Sequence, residues 1–236
     1  MTKQIKSKER VADHGEVFTN EREVKAMCDL VAQECDRIDS RFLEPACGTG
    51  NFLVEVLSRK LETVKKYYRK NFYDYERYAV LAVSSIYGVE LLQDNAVECR
   101  SRLFDLWDKE YRAVCKKDCN DETRSAVRYI LDHNILCGNA LTLMRVDENQ
   151  NDTDTPIIFP EWSMICETKF KRRDFRLDVL LRENEKPKTD QMTLFPMDAP
   201  EDIQQYLSVN PATGEYMAEP IKEYPPVHYR KVGQNG

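Results

Sequence analysis

Phe42-Leu43-Glu44-Pro45-Ala46-Cys47-Gly48-Thr49-Gly50-Asn51-Phe52-Leu53 decides how this chain is read. A short apolar run ends in a carboxylate and turns through two glycines. It then opens into a helix whose apolar residues Leu53, Val56, Leu57, Leu61 and Val64 share one face. Glycine at such a turn lets the backbone approach a ligand where a Cβ would intrude. The helix start adds unpaired N–H groups and the positive end of the helix dipole. Dinucleotide folds use a similar turn. The nicotinamide pattern, however, needs a third glycine at G-x-G-x-x-G, and Phe52 and Leu53 fill that region here.

Working outward, Asn20 followed by Glu23 predicts a capped helix, with Val24, Met27, Cys28, Val31 and Cys35 at helical spacing. The first strand is predicted at Arg41–Leu43, with the next helix running to about Tyr68. A helix near Tyr75–Ser85 leads to the apolar run Ile86–Glu90. Asp94 is placed to cap a long helix with Ala96, Cys99, Leu103, Leu106 and Trp107 inward. A helix over Glu122–Asp132 precedes a third strand-like run, Ile135–Cys137. Helices alternating with short apolar strands predict an α/β fold with a parallel sheet and crossover helices.

After Leu143 the pattern changes. Residues 147–155 read as an exposed loop, Pro156–Phe159 as a short strand, and Asp174 as the cap of a helix over Phe175–Arg182. From Glu183 onward the chain carries most of its ten prolines and reads as an extended arm. The expected organisation is a flexible lead over 1–12, an α/β ligand-binding domain over 13–146, and a loop, short helix and partner-docking arm over 147–236.

The 236 residues suffice for a full core, and 32% charged against 42% apolar residues fits a soluble globular chain. No apolar run approaches the ~20 residues of a membrane span, and the first ten residues lack the apolar stretch of a secretory signal. Eight cysteines with no C-x-x-C pair read as free thiols of a reducing cytoplasm, with no metal site. The net charge of −6 is the wrong sign for a protein that grips a phosphate backbone unaided. Basic clusters at Lys3–Arg10, Lys65–Lys70 and Lys169–Arg176 are candidate DNA contacts, although charge runs are commonly solvated faces.

The pattern Glu44-Pro45-Ala46-Cys47-Gly48-Thr49-Gly50-Asn51-Phe52 resembles motif I, the S-adenosyl-L-methionine loop of N6-adenine DNA methyltransferases. Gly15-Glu16-Val17-Phe18-Thr19 looks like motif X of their γ class, which lies over the methionine part of the cofactor. Gly88-Val89-Glu90 looks like motif II, whose acidic residue accepts from both ribose hydroxyls, a geometry dinucleotide folds share. Glu90 lies 40 residues beyond Gly50, against a usual spacing of about 20, and the helical insertion around 63–84 accounts for the difference. Gly138-Asn139-Ala140-Leu141 is similar to motif III, where the family usually has Gly-Asp-Ala. Asn139 can still accept from the adenine amino group but lacks the charge. The resemblance covers about residues 13–143. It implies a Rossmann-like fold and a cofactor site made by Gly15, Val17, Phe18, Thr19, Glu44, Ala46, Cys47, Gly48, Gly50, Asn51, Phe52, Glu90, Leu91, Asn139 and Ala140.

The family's base-holding Asp/Asn-Pro-Pro-Tyr/Phe tetrapeptide should follow a few tens of residues after Leu141. It is not found. Tyr224-Pro225-Pro226-Val227 lacks the polar acceptor and the ring, and Asn210-Pro211-Ala212 lacks the second proline and the ring. Neither follows an apolar strand. Only the first three strands of the implied seven-stranded sheet are recognisable, which leaves the sheet incomplete and its central strand bare-edged. The expectation is therefore the cofactor-binding half of a split adenine-N6 DNA methyltransferase of the restriction–modification type, with no catalytic residue of its own. A second subunit would carry the adenine-binding motif and target recognition, double-stranded DNA would be bound through the complex, and no membrane is involved. The alternatives are a catalytically inactive scaffold or sensor of the same fold and a small-molecule or RNA methyltransferase.

Overall fold

The computed structural model describes residues 19–186 and 199–234. Gly15, Val17 and Phe18 lie outside the described residues, as do the basic cluster Lys3–Arg10 and the lead over 1–12. Helices α1 (Glu21–Leu30) and α2 (Ala32–Asp36) precede β1 (Phe42–Glu44), α3 (Asn51–Tyr68), α4 (Phe72–Ser84) and β2 (Ile86–Glu90). Next come α5 (Gln93–Cys115), α6 (Asp121–Asn134), β3 (Ile135–Asn139), β4 (Met144–Val146) and β5 (Asp152–Pro156). Asn20 Oδ1 accepts from the Arg22 and Glu23 amides and so starts α1. Asp94 is not the cap of α5. Leu92 is, and Asp94 sits in the first turn, where a carboxylate still favours the helix dipole.

The main sheet has the order β1-β2-β3-β4-β5. β1 pairs with β2 and β2 with β3 in parallel, then β3, β4 and β5 run antiparallel. The fold is thus mixed α/β with a parallel core. β2 is buried at all five positions, as a central parallel strand must be. β1 pairs only with β2 among the described residues.

The C-terminal third departs from expectation. Part of the exposed loop predicted at 147–155 is strand β5, and the expected boundary after residue 146 falls inside the β4–β5 hairpin. Pro156–Phe159 is not one strand. β5 ends at Pro156, and β6 (Ile158–Ile165) pairs along its length with β7 (Lys169–Arg176). Asp174 lies within β7, where Arg172 pairs with it, and only one helical turn, α7 (Leu177–Leu180), follows. The β6–β7 hairpin covers β2: Tyr87 donates to the Pro160 carbonyl at 2.8 Å, and Trp162 Nε1 to Asn134 Oδ1 at 2.9 Å. The region expected as an extended arm folds back. It forms α8 (Glu201–Gln204), the β8 (Leu207–Val209) and β9 (Tyr216–Ala218) hairpin, and two short strands, β10 (Lys222–Glu223) and β11 (Val227–His228), paired to β7. Val179, Ala199, Ile203, Leu207 and Tyr216 make a small second core there.

Candidate functional site

β1, β2 and β3 end side by side at their carboxyl ends, and the turns that leave them surround one hollow of about 520 Å³. Open parallel sheets bind ligands at such an edge. Of the residues expected to form the site, the hollow is lined by Thr19, Glu44, Ala46, Cys47, Gly48, Asn51, Phe52, Glu90, Leu91, Asn139 and Ala140. Gly50 stands behind the wall. Its φ is +86°, and a Cβ there would lie 2.6 Å from Cys99 Sγ on α5. The second glycine of the turn is thus dictated by conformation and by the closeness of a helix.

Glu90 has three hydrogen-bond donors that spacing did not reveal. Its Oε2 accepts from the Gly48 amide at 2.8 Å, fastening the glycine turn to the end of β2. Its Oε1 accepts from the Leu92 amide and from Asn95 Nδ2, at 3.1 and 3.3 Å. The carboxylate is held in place with one of its roughly four lone-pair sites to spare. Glu44, across the hollow, is half-buried, and burial raises its carboxyl above the ordinary range, offset in part by the Ala46 amide. Cys47 touches Cys99, and that hydrogen bond, together with burial, holds its thiol far above the usual range. Cys47 is therefore a neutral wall residue and no thiolate nucleophile.

Asn139 ends β3. Its Oδ1 accepts from the Leu141 amide at 3.0 Å, and its Nδ2 donates to Asp152 Oδ1 at 3.1 Å. An aspartate of β5 thus stands beside the position where the resembling family has its own. Met27, predicted on the inward face of α1, instead lines the hollow with Val24, and it is 47% exposed. Asn95 and Met27 were missed because their spacing on α5 and α1 fits ordinary core stripes.

Two carboxylates line the hollow, and no lysine or arginine does among the described residues. Such a wall repels phosphates and suits a ligand rich in positive charge and hydrogen-bond donors. The basic run of β7 is largely neutralised from within: Arg173 pairs with Glu161, Arg172 with Asp174, and Arg176 with Asp178 and Asp202.

Compared with known families, residues 3–159 match the model of the MmeI DNA-methyltransferase domain. The chain belongs to that family. The match spans the glycine turn and the ends of all three parallel strands, and it bears out the expectation of a DNA methyltransferase domain of the restriction–modification kind. No curated protein and no solved structure matches the chain significantly. Among the described residues, no helix is long and apolar enough to cross a membrane.

Proposed function

We propose that this chain is the S-adenosyl-L-methionine-binding part of an adenine-N6 DNA methyltransferase, in a Rossmann-like but incomplete fold. The observation that carries the reading is the sign of the hollow, two carboxylates and, among the described residues, no lysine or arginine in a glycine-turn site. S-adenosylmethionine presents an ammonium, a sulfonium, a ribose diol and an adenine amino group against a single carboxylate, so its net charge is positive. A dinucleotide would bring its pyrophosphate near Glu44 and Glu90, where among the described residues no lysine or arginine lines the wall to offset their charge.

Glu90 accepts from the ribose hydroxyls, Asn139 from the adenine amino group through its second lone pair, and Glu44 faces the cationic methionine end. Thr19 lines the rim of the site, and the motif X resemblance assigns Gly15, Val17 and Phe18 to the methionine end of the cofactor. When bound, the cofactor supplies an electrophilic methyl group whose departure leaves a neutral thioether. Cys47, Phe52, Leu91 and Ala140 exclude water from that centre with neutral side chains.

The acceptor adenine requires a polar-Pro-Pro-aromatic tetrapeptide absent from these 236 residues. We assign it to a partner subunit that extends the sheet at the edge of β1 that is unpaired among the described residues, and also brings most of the DNA contact, since a chain of net charge −6 grips DNA poorly. A second hollow of about 500 Å³ runs along that edge, lined by Leu43, Tyr87, Phe159, Phe175, Leu177 and Leu181. Calorimetry tests the cofactor: the chain should bind S-adenosylmethionine and not NADH, and Glu90→Gln should weaken binding. Reconstitution tests the split. The isolated chain should scarcely methylate DNA, and adding the partner should restore transfer to adenine N6. Robust methylation by the chain alone would refute the division of labour.

A further inference from the structure

One face of α5 serves the whole candidate site. Asn95, Cys99 and Arg102 fall at i, i+4 and i+7, a single helical stripe. Asn95 donates to Glu90, and Cys99 packs where a Cβ on Gly50 would sit. Arg102 touches the residues on either side of that glycine. Its Nη1 donates to the Thr49 carbonyl at 2.6 Å, to Thr49 Oγ1 at 3.0 Å and to Asn51 Oδ1 at 2.8 Å. Among the described residues no carboxylate pairs with Arg102, so its charge is directed at the glycine turn alone.

The contact with Asn51 has a direction. An amide whose oxygen is engaged by a cation must present its nitrogen the other way, and Asn51 Nδ2 donates to the Thr19 carbonyl at 3.0 Å. Thr19 begins the described chain at the rim of the hollow. We propose that Arg102 is a positioning residue for the cofactor site, acting through Asn51: it fixes the Asn51 amide so that the glycine turn and Thr19, which leads into α1, are held together as two walls of one pocket. The inference rests on the cofactor reading above. Arg102 does not line the hollow, so it acts on the ligand only through the residues it orients.

The test uses the full chain and the variants Arg102→Met, Arg102→Lys, Asn51→Ala and the Met/Ala double variant. Removing several hydrogen bonds from a charged donor should weaken S-adenosylmethionine binding about ten-fold in Arg102→Met. An ammonium also offers three donors, so Arg102→Lys should keep most of the affinity, which a mere packing role for the arginine would not predict. With Asn51 already Ala, the Met substitution should cost little more. Independently of the ligand, hydrogen exchange at residues 19–21 and 48–52 should quicken in Arg102→Met and stay unchanged in β3. Wild-type affinity and exchange in Arg102→Met would overturn the proposal, and so would full additivity with Asn51→Ala. A wild-type chain that ignores S-adenosylmethionine would instead refute the cofactor reading, and the exchange data would still decide whether Arg102 tethers the two walls.

Discussion

Asn139 shows why a side chain cannot be judged apart from its neighbours. Restoring the family's usual aspartate looks like an improvement, but Asp152 Oδ1 lies 3.1 Å from the Asn139 amide nitrogen. Asn139→Asp alone would set two carboxylates in contact, and like charges so close resist joint ionisation. The single variant should therefore gain no affinity for S-adenosylmethionine at neutral pH and should lose stability. Asn139→Asp with Asp152→Asn restores a donor to the pair and leaves a charged acceptor on the hollow. It should bind about five-fold tighter than wild type, as a charge-assisted bond replaces a neutral one. Titration calorimetry on the three proteins separates these outcomes. Gly50 carries a second residue-scale prediction. Gly50→Ala meets both a φ of +86° and Cys99 Sγ at 2.6 Å, and should cost about 1–3 kcal/mol. Adding Cys99→Ala opens the space but leaves the backbone strain, so urea denaturation should show only partial recovery.

Among the elements, α3 carries an ammonium that fixes the entry to β1. Lys60 is fully buried, and its Nζ donates to the carbonyls of Arg37, Ile38 and Ser40 at 2.7, 3.2 and 2.6 Å. Burial pushes its pKa down to about 8 from the ordinary 10.5. Native Lys60 gives up its proton near pH 8, while the unfolded lysine keeps its own to about 10.5. Between these values the unfolded state binds more protons, so the group's contribution to stability rises with pH. Lys60→Met should be the less stable protein throughout, because three carbonyls lose their donor, and its deficit should widen from pH 8 to pH 10. Urea midpoints across that range check the slope, and a deficit that narrows contradicts it. Element by element, legibility tracked where the stabilisation comes from. α3, α5 and α6 bury one face each, so their period is written in the sequence, and β2 is written there as a fully buried run that closes on Glu90. β7 is Lys-Phe-Lys-Arg-Arg-Asp-Phe-Arg, with only two apolar residues. It is a strand because β6, β10 and β11 pair with it, which no local window records, and its arginines are neutralised by acids both near in sequence (Asp174, Asp178) and distant (Glu161, Asp202). The candidate site was legible where backbone geometry demands glycine and where strand ends demand acceptors. Arg102 stayed hidden because its partners lie tens of residues away, and Asn95 because its place on α5 fits an ordinary core stripe.

For the whole molecule, one buried carboxylate joins the first half of the chain to the last. Glu76 on α4 is fully buried. It accepts from the hydroxyls of Tyr111 on α5 and Tyr229 near the C-terminus, and pairs with Arg230 at 2.6 Å. A fully buried carboxylate needs such partners, and two of the three come from the segment that the sequence presents as an arm. The arm is thus tied to the helical layer by electrostatics as well as by strands β10 and β11. Removing one partner of a buried pair leaves an uncompensated charge, so Arg230→Met should cost about 3 kcal/mol. Tyr229→Phe removes a hydrogen bond without stranding the charge, and should cost about 1 kcal/mol. Glu76→Gln in the Arg230→Met background removes the stranded charge and keeps hydrogen bonding to both tyrosines, so it should recover much of the loss. Thermal and urea denaturation of the three variants would measure this ordering. If Arg230→Met is neutral, the C-terminal segment is held by its strand pairing alone, and Glu76 must be satisfied by the two tyrosines without a counter-charge.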